Sequence, residues 1–414
     1  MLYHLHAAQE AWSARLRPVA REAAGWLRRL GDRPGVAQAA AALQLLEEVG
    51  TTHRKPEFGL DRIRAGNRVV PVREEVVQAA PFGRLLRFAK DAPRAGPPVL
   101  VVAPLSGHYA TRVRDTIAAL LPEHDVHVTD WTDARLVPAA AGRFGLDALV
   151  AQIIAWLEAI GPGAHALTVS QPAAAALAAA ALMAEDGNPA RPRSLTLIAG
   201  PIDARISPSR EGALVRALPA AWFEAMEVAT VPPPFPGAGR RVRPGAQQIT
   251  GSVLAELPTQ VAAQLTQLRN LTGGDAAAAA AHRRHNDELR AVMDVPAELY
   301  LDTIHRVFRA AELARGRMAW RGRPVRPEAI RDTALLVVEG GADTTCPAGQ
   351  TRPALALCCG LPQGLRQHHL QPGAGHGALF EGPAWRAEIL PLVAAVIREA
   401  DRSAAAAAPR RARR

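Results

Sequence analysis

Apolar residues first recur at three- and four-residue spacing. Trp12, Leu16, Val19, Ala23, Trp26 and Leu27 punctuate residues 7–30, with Arg and Glu between them, which predicts an amphipathic helix. Gly31-Asp32-Arg33-Pro34-Gly35 stops it, and residues 36–49 resume the helical spacing. From Asn67 the period changes. Val69, Val70 and Val72, then Val76 and Val77, then Leu85, Leu86 and Phe88 predict short strands, followed by a Pro/Gly/Ala linker over residues 92–98.

Residues 99–103 are a continuous apolar run, Val-Leu-Val-Val-Ala, as expected of a strand buried on both faces. Helix (111–121), strand (126–129), helix (147–160), strand (166–169), helix (171–184) and strand (195–199) then alternate. Such alternation predicts a right-handed, mostly parallel sheet flanked by helices. The alternation breaks after Asp203. Residues 203–325 hold the Pro-rich turn that starts at Val231 and long helical stretches, among them 282–311, without clear sheet strands. A buried strand returns at 334–338, a weaker one at 365–371, and a closing helix at 383–399. The predicted organisation is an N-terminal helical segment (1–66), the first part of an α/β core (67–202), a helical cap insertion (203–325), the second part of the core (326–402) and a disordered Ala/Arg-rich tail (403–414). There is no internal repeat.

Composition narrows the class. Of 414 residues, 49 % are hydrophobic and 21 % charged, which excludes a mostly disordered or collagen-like chain. Aromatics are only 4 %, so burial relies on Ala, Leu and Val. The formal charge is +10, but Lys55 and Lys90 are the only lysines in a chain also rich in Ala, Gly and Pro. That bias, together with Arg410, Arg411, Arg413 and Arg414 in the tail, argues against a nucleic-acid partner. Cys346, Cys358 and Cys359 form no C-x-x-C pair, and their odd number points to a reducing compartment. The N-terminus has no signal-peptide pattern, and the longest apolar run, 172–184, is too short to span a bilayer. The expectation is a soluble, cytoplasmic protein without a membrane span.

In open α/β sheets, chemistry sits at the carboxyl ends of strands. Three strand ends carry suitable residues: Ser170, Asp343 and His376. Their order is that of α/β-hydrolases, and the 203–325 insertion accounts for the long gap between the first two. Ser170 stands where a strand runs into a helix, in Thr168-Val169-Ser170-Gln171-Pro172, so neither glycine of G-x-S-x-G is present. A plain N-cap serine fits the same position. Asp343 follows Gly340-Gly341-Ala342, and His376 lies in a loop, Pro372-Gly373-Ala374-Gly375-His376-Gly377, which suits a base that must reach another strand. An oxyanion hole would use the backbone N–H of Gln171 with that of Leu105 or Ser106. His282 and His285 are one helical turn apart with Asp287 nearby, but no third metal ligand is evident, and His368 and His369 pack or face solvent. Cys346 reads as a buried structural thiol. With no H-E-x-x-H, Walker loop or G-x-G-x-x-G after a strand, neither metal nor cofactor is called for.

At longer range the chain resembles the intracellular polyhydroxyalkanoate (polyhydroxybutyrate) depolymerases. The similarity runs through Pro81-Phe-Gly-Arg-Leu-Leu-Arg-Phe, Ala103-Pro-Leu-Ser-Gly-His-Tyr-Ala-Thr, Thr129-Asp-Trp-Thr-Asp-Ala-Arg and Gly200-Pro-Ile-Asp. It continues through residues 231–245, Val292-Met-Asp-Val-Pro-Ala-Glu, Gly322-Arg-Pro-Val, Val338-Glu-Gly and Pro372-Gly-Ala-Gly-His. The resemblance implies an α/β-hydrolase with a cap, acting on stored polyester granules in the cytoplasm. It places the nucleophile at Ser170, the acid at Asp343 and the base at His376. Two departures stand out: the family usually has Cys where this chain has Ser170, and a more acidic turn where it has Gly341-Ala342-Asp343-Thr344. A serine has no accessible anion near neutral pH and depends wholly on its base. Water, or a thiol such as coenzyme A, would take the acyl group. Two other readings compete: a synthase-like acyltransferase or general esterase of the same fold, since Asp130-Trp131 also occurs in related synthases, and a granule binder without catalysis.

Overall fold

The computed structural model describes residues 2–31, 35–47, 50–91, 96–247 and 257–407. Residues 92–95 of the expected linker and 408–414 of the expected tail lie outside them, while residues 403–407 continue the last helix.

The chain begins with two helices, α1 (Leu2–Arg29) and α2 (Val36–Glu47), and then enters the sheet earlier than expected, at β1 (Arg62–Ala65). β2 (Arg68–Ala80) and β3 (Gly83–Lys90) form a hairpin. Two separate short strands were expected where β2 runs unbroken. The reason is a bulge between Val76 and Gln78, which inserts Val77 and interrupts the alternation. The core follows as β4 (Pro98–Val102), α3 (Arg114–Leu120), β5 (Asp125–Trp131), α4 (Leu146–Ile160), β6 (His165–Val169), α5 (Ala173–Glu185) and β7 (Ser194–Ile198).

Among the described residues the main sheet has nine strands in the order β1-β2-β3-β5-β4-β6-β7-β13-β14, with β13 Ala334–Gly340 and β14 Arg366–Gln371. The strands from β5 to β14 in that order run parallel, and β1 to β3 are added antiparallel at one edge. This is an α/β-hydrolase fold. Its parallel strands are buried on both faces, so they read as continuous apolar runs. α5 is buried from Ala173 to Met183, and the eight alanines of that stretch let the helix lie close against the sheet. The closing helix α10 runs Leu390–Ala407.

Among the described residues, α6 (Arg210–Ala217), α7 (Ala220–Glu227), α8 (Leu257–Thr272) and α9 (Ala276–Arg290) lie between β7 and β13, ahead of a further short helix. Short strands accompany them: β8 (Ala229–Thr230), β9 (Arg241–Arg243) and β10 (Val295–Pro296) in one small sheet, β11 (Ala319–Trp320) and β12 (Arg323–Pro324) in another. The helical stretch expected over 282–311 is broken. α9 stops at Arg290, and Pro296, which cannot supply a helical N–H, ends an extended segment before helix resumes at Ala297–Asp302. The interruption docks the insertion on the core: Val292 bridges His108, and the Met293 N–H donates to Gly107 O at 2.9 Å.

A buried polar network ties α1 to both parts of the chain. Tyr3 Oη donates to Asp294 Oδ2 (2.5 Å), and Arg135 donates to Glu10 Oε2 (3.1 Å). Between them His53 donates from Nδ1 to Glu10 (2.8 Å) and from Nε2 to Asp294 (3.2 Å), so both ring nitrogens face carboxylates. Burial opposes charge on His53, but the hydrogen bonds to Asp294 and Glu10 outweigh it and hold the pKa at about 9, against an ordinary 6.5. Because the folded value is raised, the stabilisation is complete below pH 6.5 and is lost as pH rises towards 9. The melting temperature should therefore fall by several degrees across that window. His53→Gln should melt lower at pH 6 and show no such fall; equal slopes for the two proteins would remove His53 from this role.

Candidate active site

β6 ends in a backbone conformation that few side chains tolerate. Ser170 has φ 63°, in the left-handed region. Its N–H donates to Ile198 O (2.8 Å) and its carbonyl accepts from Ala173 N–H (3.1 Å), so the chain turns at once into α5. Pro172 precedes the helix, where a missing N–H costs nothing. The glycines of G-x-S-x-G are replaced by Thr168 and Pro172, and the room is found elsewhere. A Cβ on Gly200 would lie 2.2 Å from Ala173 Cβ and 2.5 Å from Ser170 O. Sequence reasoning placed Gly200 only as part of a family match; its close approach to the turn shows in three dimensions alone.

The other two strand ends bring their side chains to this turn. His376 Nδ1–H donates to Asp343 Oδ2 (2.7 Å), which leaves Nε2 to accept from the Ser170 hydroxyl, 3.1 Å away. The Asp343 side chain is buried, whereas His376 and Ser170 are partly exposed. Asp343 Oδ1 accepts from the N–H groups of Thr345 (2.8 Å) and Cys346 (2.9 Å), which orients the carboxylate. Gly340 lets the two loops meet, since a Cβ there would come within 2.5 Å of Ala374 O. The His376 ring rests edge-on against Phe380 (5.8 Å), and Arg112 pairs with Glu381 just beyond it.

Of the expected oxyanion donors, the N–H groups of Gln171, Leu105 and Ser106 have no acceptor within the chain among the described residues. The loop bearing the last two is pinned at its root: Ala103 N–H donates to Thr129 Oγ1 and Ala103 O accepts from Trp131 Nε1, both at 2.9 Å. Asp130, on the other hand, is engaged by Lys55 (2.5 Å) and Arg84 (2.6 Å). Gln171 Nε2 reaches Thr303 Oγ1 in the insertion at 3.4 Å.

Several supports escaped the sequence reading. Glu339, buried at the end of β13, accepts from the N–H groups of Gly349 (2.9 Å), Thr351 (2.8 Å) and Arg352 (3.0 Å) and bonds His368 (2.9 Å), organising the loop that carries Asp343. A buried acid ending an apolar strand is the signal that could have found it. In the loop after β4, burial and then the nearby Arg112 push His108 down to about 4, so it is neutral. His369 bonds Gln371 (2.7 Å). His282, His285 and Asp287 share α9; burial, first of all, lowers the pKa of His285 and raises that of Asp287.

Residues 199–401 match the family model described as PHB de-polymerase C-terminus. That match supports the PHB depolymerase family for this stretch of the chain. The matched stretch contains Gly200, Asp343 and His376; Ser170 precedes it. No curated protein matches the chain. Solved structures similar to it include a putative lipase from Acinetobacter baumannii AYE (12 % identity, TM-score 0.44, 79 % of this chain and 93 % of that one). A monoacylglycerol lipase from Paleococcus ferrophilus matches at 15 % identity and TM-score 0.44, over 76 % of this chain and 99 % of that one. The enol-lactonase from Burkholderia xenovorans LB400 matches at 12 % and 0.42, over 81 % and 99 %. The fold and the family match together support an esterase-type hydrolase. No helix among the described residues is long and apolar enough to cross a membrane.

Two measurements test the site's construction. Burial, and then the negative charge of Asp343, raises the Cys346 pKa, and burial raises Cys358 to about 12, while Cys359 is exposed. Ellman's reagent should therefore modify one thiol rapidly in the native protein and all three after denaturation, with ester hydrolysis unchanged by the fast reaction. Activity lost in step with that first thiol would contradict the assignment. Gly200→Ala should destabilise the protein by about 1–3 kcal/mol and depress turnover, because the new Cβ cannot fit without moving the Ser170 turn; an unchanged melting curve and rate would contradict it.

Proposed function

We propose that the protein is an intracellular polyhydroxyalkanoate depolymerase that cleaves ester bonds of stored poly(3-hydroxyalkanoate) by Ser-His-Asp acyl transfer. The observation that carries the reading is the continuous relay from Asp343 through His376 to Ser170, at 2.7 and 3.1 Å. The family match over residues 199–401 supports the substrate class.

In this mechanism the Ser170 hydroxyl attacks the ester carbonyl while His376 Nε2 takes its proton. Asp343 keeps the Nδ1–H tautomer in place and stabilises the imidazolium as it forms. The tetrahedral oxyanion is held by the N–H of Gln171 with that of Leu105 or Ser106. His376 then protonates the departing hydroxyl end of the polymer, leaving an acyl-Ser170 ester. Water, deprotonated by the same imidazole, hydrolyses that ester and releases the hydroxyacid end. A serine suits this site because its base is already within hydrogen-bonding distance; a thiolate is not required. Residues 203–325 act as a cap over the site, reaching it through the Thr303–Gln171 contact and the Val292–His108 bridge. The protein would work in the cytoplasm at the granule surface.

The test is hydroxyacid release from amorphous polyester granules by the purified protein. Ser170→Ala should lose at least roughly 10⁴-fold in rate, and Asp343→Asn roughly 10³–10⁴-fold. Ser170→Cys should keep some activity and become sensitive to iodoacetamide. Full turnover by Ser170→Ala would overturn the nucleophile. Turnover of short esters without any release from the polyester would overturn the substrate.

A further inference from the structure

α1 presents its most apolar stripe outwards. Trp12, Leu16, Val19 and Trp26 are 65, 42, 63 and 57 % exposed, and with Ala23 they follow alternating four- and three-residue spacing. The side of the helix turned to the body carries buried Tyr3 and Ala24, Glu10 on His53, and Arg17 bonded to Thr51 O. A strict stripe of two apolar positions in seven is a helix-pairing seam; a helix that lies on lipid presents a broader apolar face. The seam's exposed edge carries both signs, Arg15 and Arg29 with Glu22 between them, and this again suits a helix better than an anionic surface.

We propose that two copies of this chain pair antiparallel through α1, with Trp12 of each copy seated against Ala23 of the other. In that register apolar and charged positions match together. Trp12 meets the partner's Ala23, Leu16 meets the partner's Val19, and Arg15 stands beside the partner's Glu22, each contact occurring twice about the two-fold axis. A shallow, open depression on the helix surface, lined by Val19, Glu22, Ala23, Gly25, Trp26 and Arg29, receives the partner's indole. Gly25 keeps one wall of it low: a Cβ there would meet nothing within 4 Å. A parallel pairing would stack Trp12 on its own copy and set Ala23 against Ala23, leaving voids that well-packed interfaces avoid. The two-fold contact closes on itself, so it makes a dimer and not a filament.

Light scattering on the full chain should give twice the 44.0 kDa chain mass at micromolar concentration. Arg15→Glu and Glu22→Arg should each weaken the dimer by about tenfold in Kd. The double swap should restore it, and Ala23→Arg, which fills the depression, should give a monomer. These side chains lie on the outward half of α1, so far-ultraviolet circular dichroism spectra should match the wild type, which separates lost pairing from lost folding. A wild-type monomer would overturn the proposal, as would a dimer indifferent to all these changes. So would single-charge variants whose defect the double swap fails to mend, or a monomer that instead binds anionic vesicles or polyester through Trp12. None of these outcomes bears on Ser170 chemistry.

Discussion

A serine at φ 63° persists only where its surroundings leave the chain no alternative, and the site depends on that constraint. Left-handed backbone at a residue with a Cβ costs on the order of 1–3 kcal/mol. Here the neighbouring strand overrides the cost. Ile198 O holds the Ser170 N–H, Gly200 leaves room for the turn, and the alanines of α5 let the helix begin hard against the sheet. The hydroxyl is thereby lifted off the strand end to where a base from another strand can meet it.

The same logic holds the partners. Asp343 and His376 lie on loops, and loops carry mobility unless their backbone groups are bonded. Asp343 binds two N–H groups of its own turn, and Glu339 binds three more in the chain just beyond, so the acid's loop is fixed by buried carboxylates at both ends. On the opposite side, Thr129 and Trp131 clamp Ala103 at the root of the loop with unpaired N–H groups. In the proposed mechanism a fixed scaffold of donors and a positioned base would cost little reorganisation during reaction, which is the basis of electrostatic catalysis.

Much of this was legible in the chain. The buried strands announced themselves as unbroken apolar runs, and the residues at their ends, Ser170, Asp343 and His376, are the ones the fold brings together. What stayed hidden depends on contacts between distant segments. Gly200 matters because of Ser170 in space, and the His53 network joins Tyr3, Glu10 and Asp294, which no local pattern connects. The helix expected over 282–311 failed because Pro296 and pairing with the His108 loop outweighed helical spacing. In α1 the period was read correctly, but periodicity does not say which way a stripe faces: the body takes the small and polar side.

The most direct measurement is covalent trapping. A fluorophosphonate adds only to a serine that an adjacent base activates and an oxyanion pocket receives. Intact-mass analysis of the treated protein should show one adduct per chain, peptide mapping should place it on Ser170, and His376→Ala should abolish it. An adduct on a different residue, or sustained ester hydrolysis by protein that never takes up the label, would contradict the account.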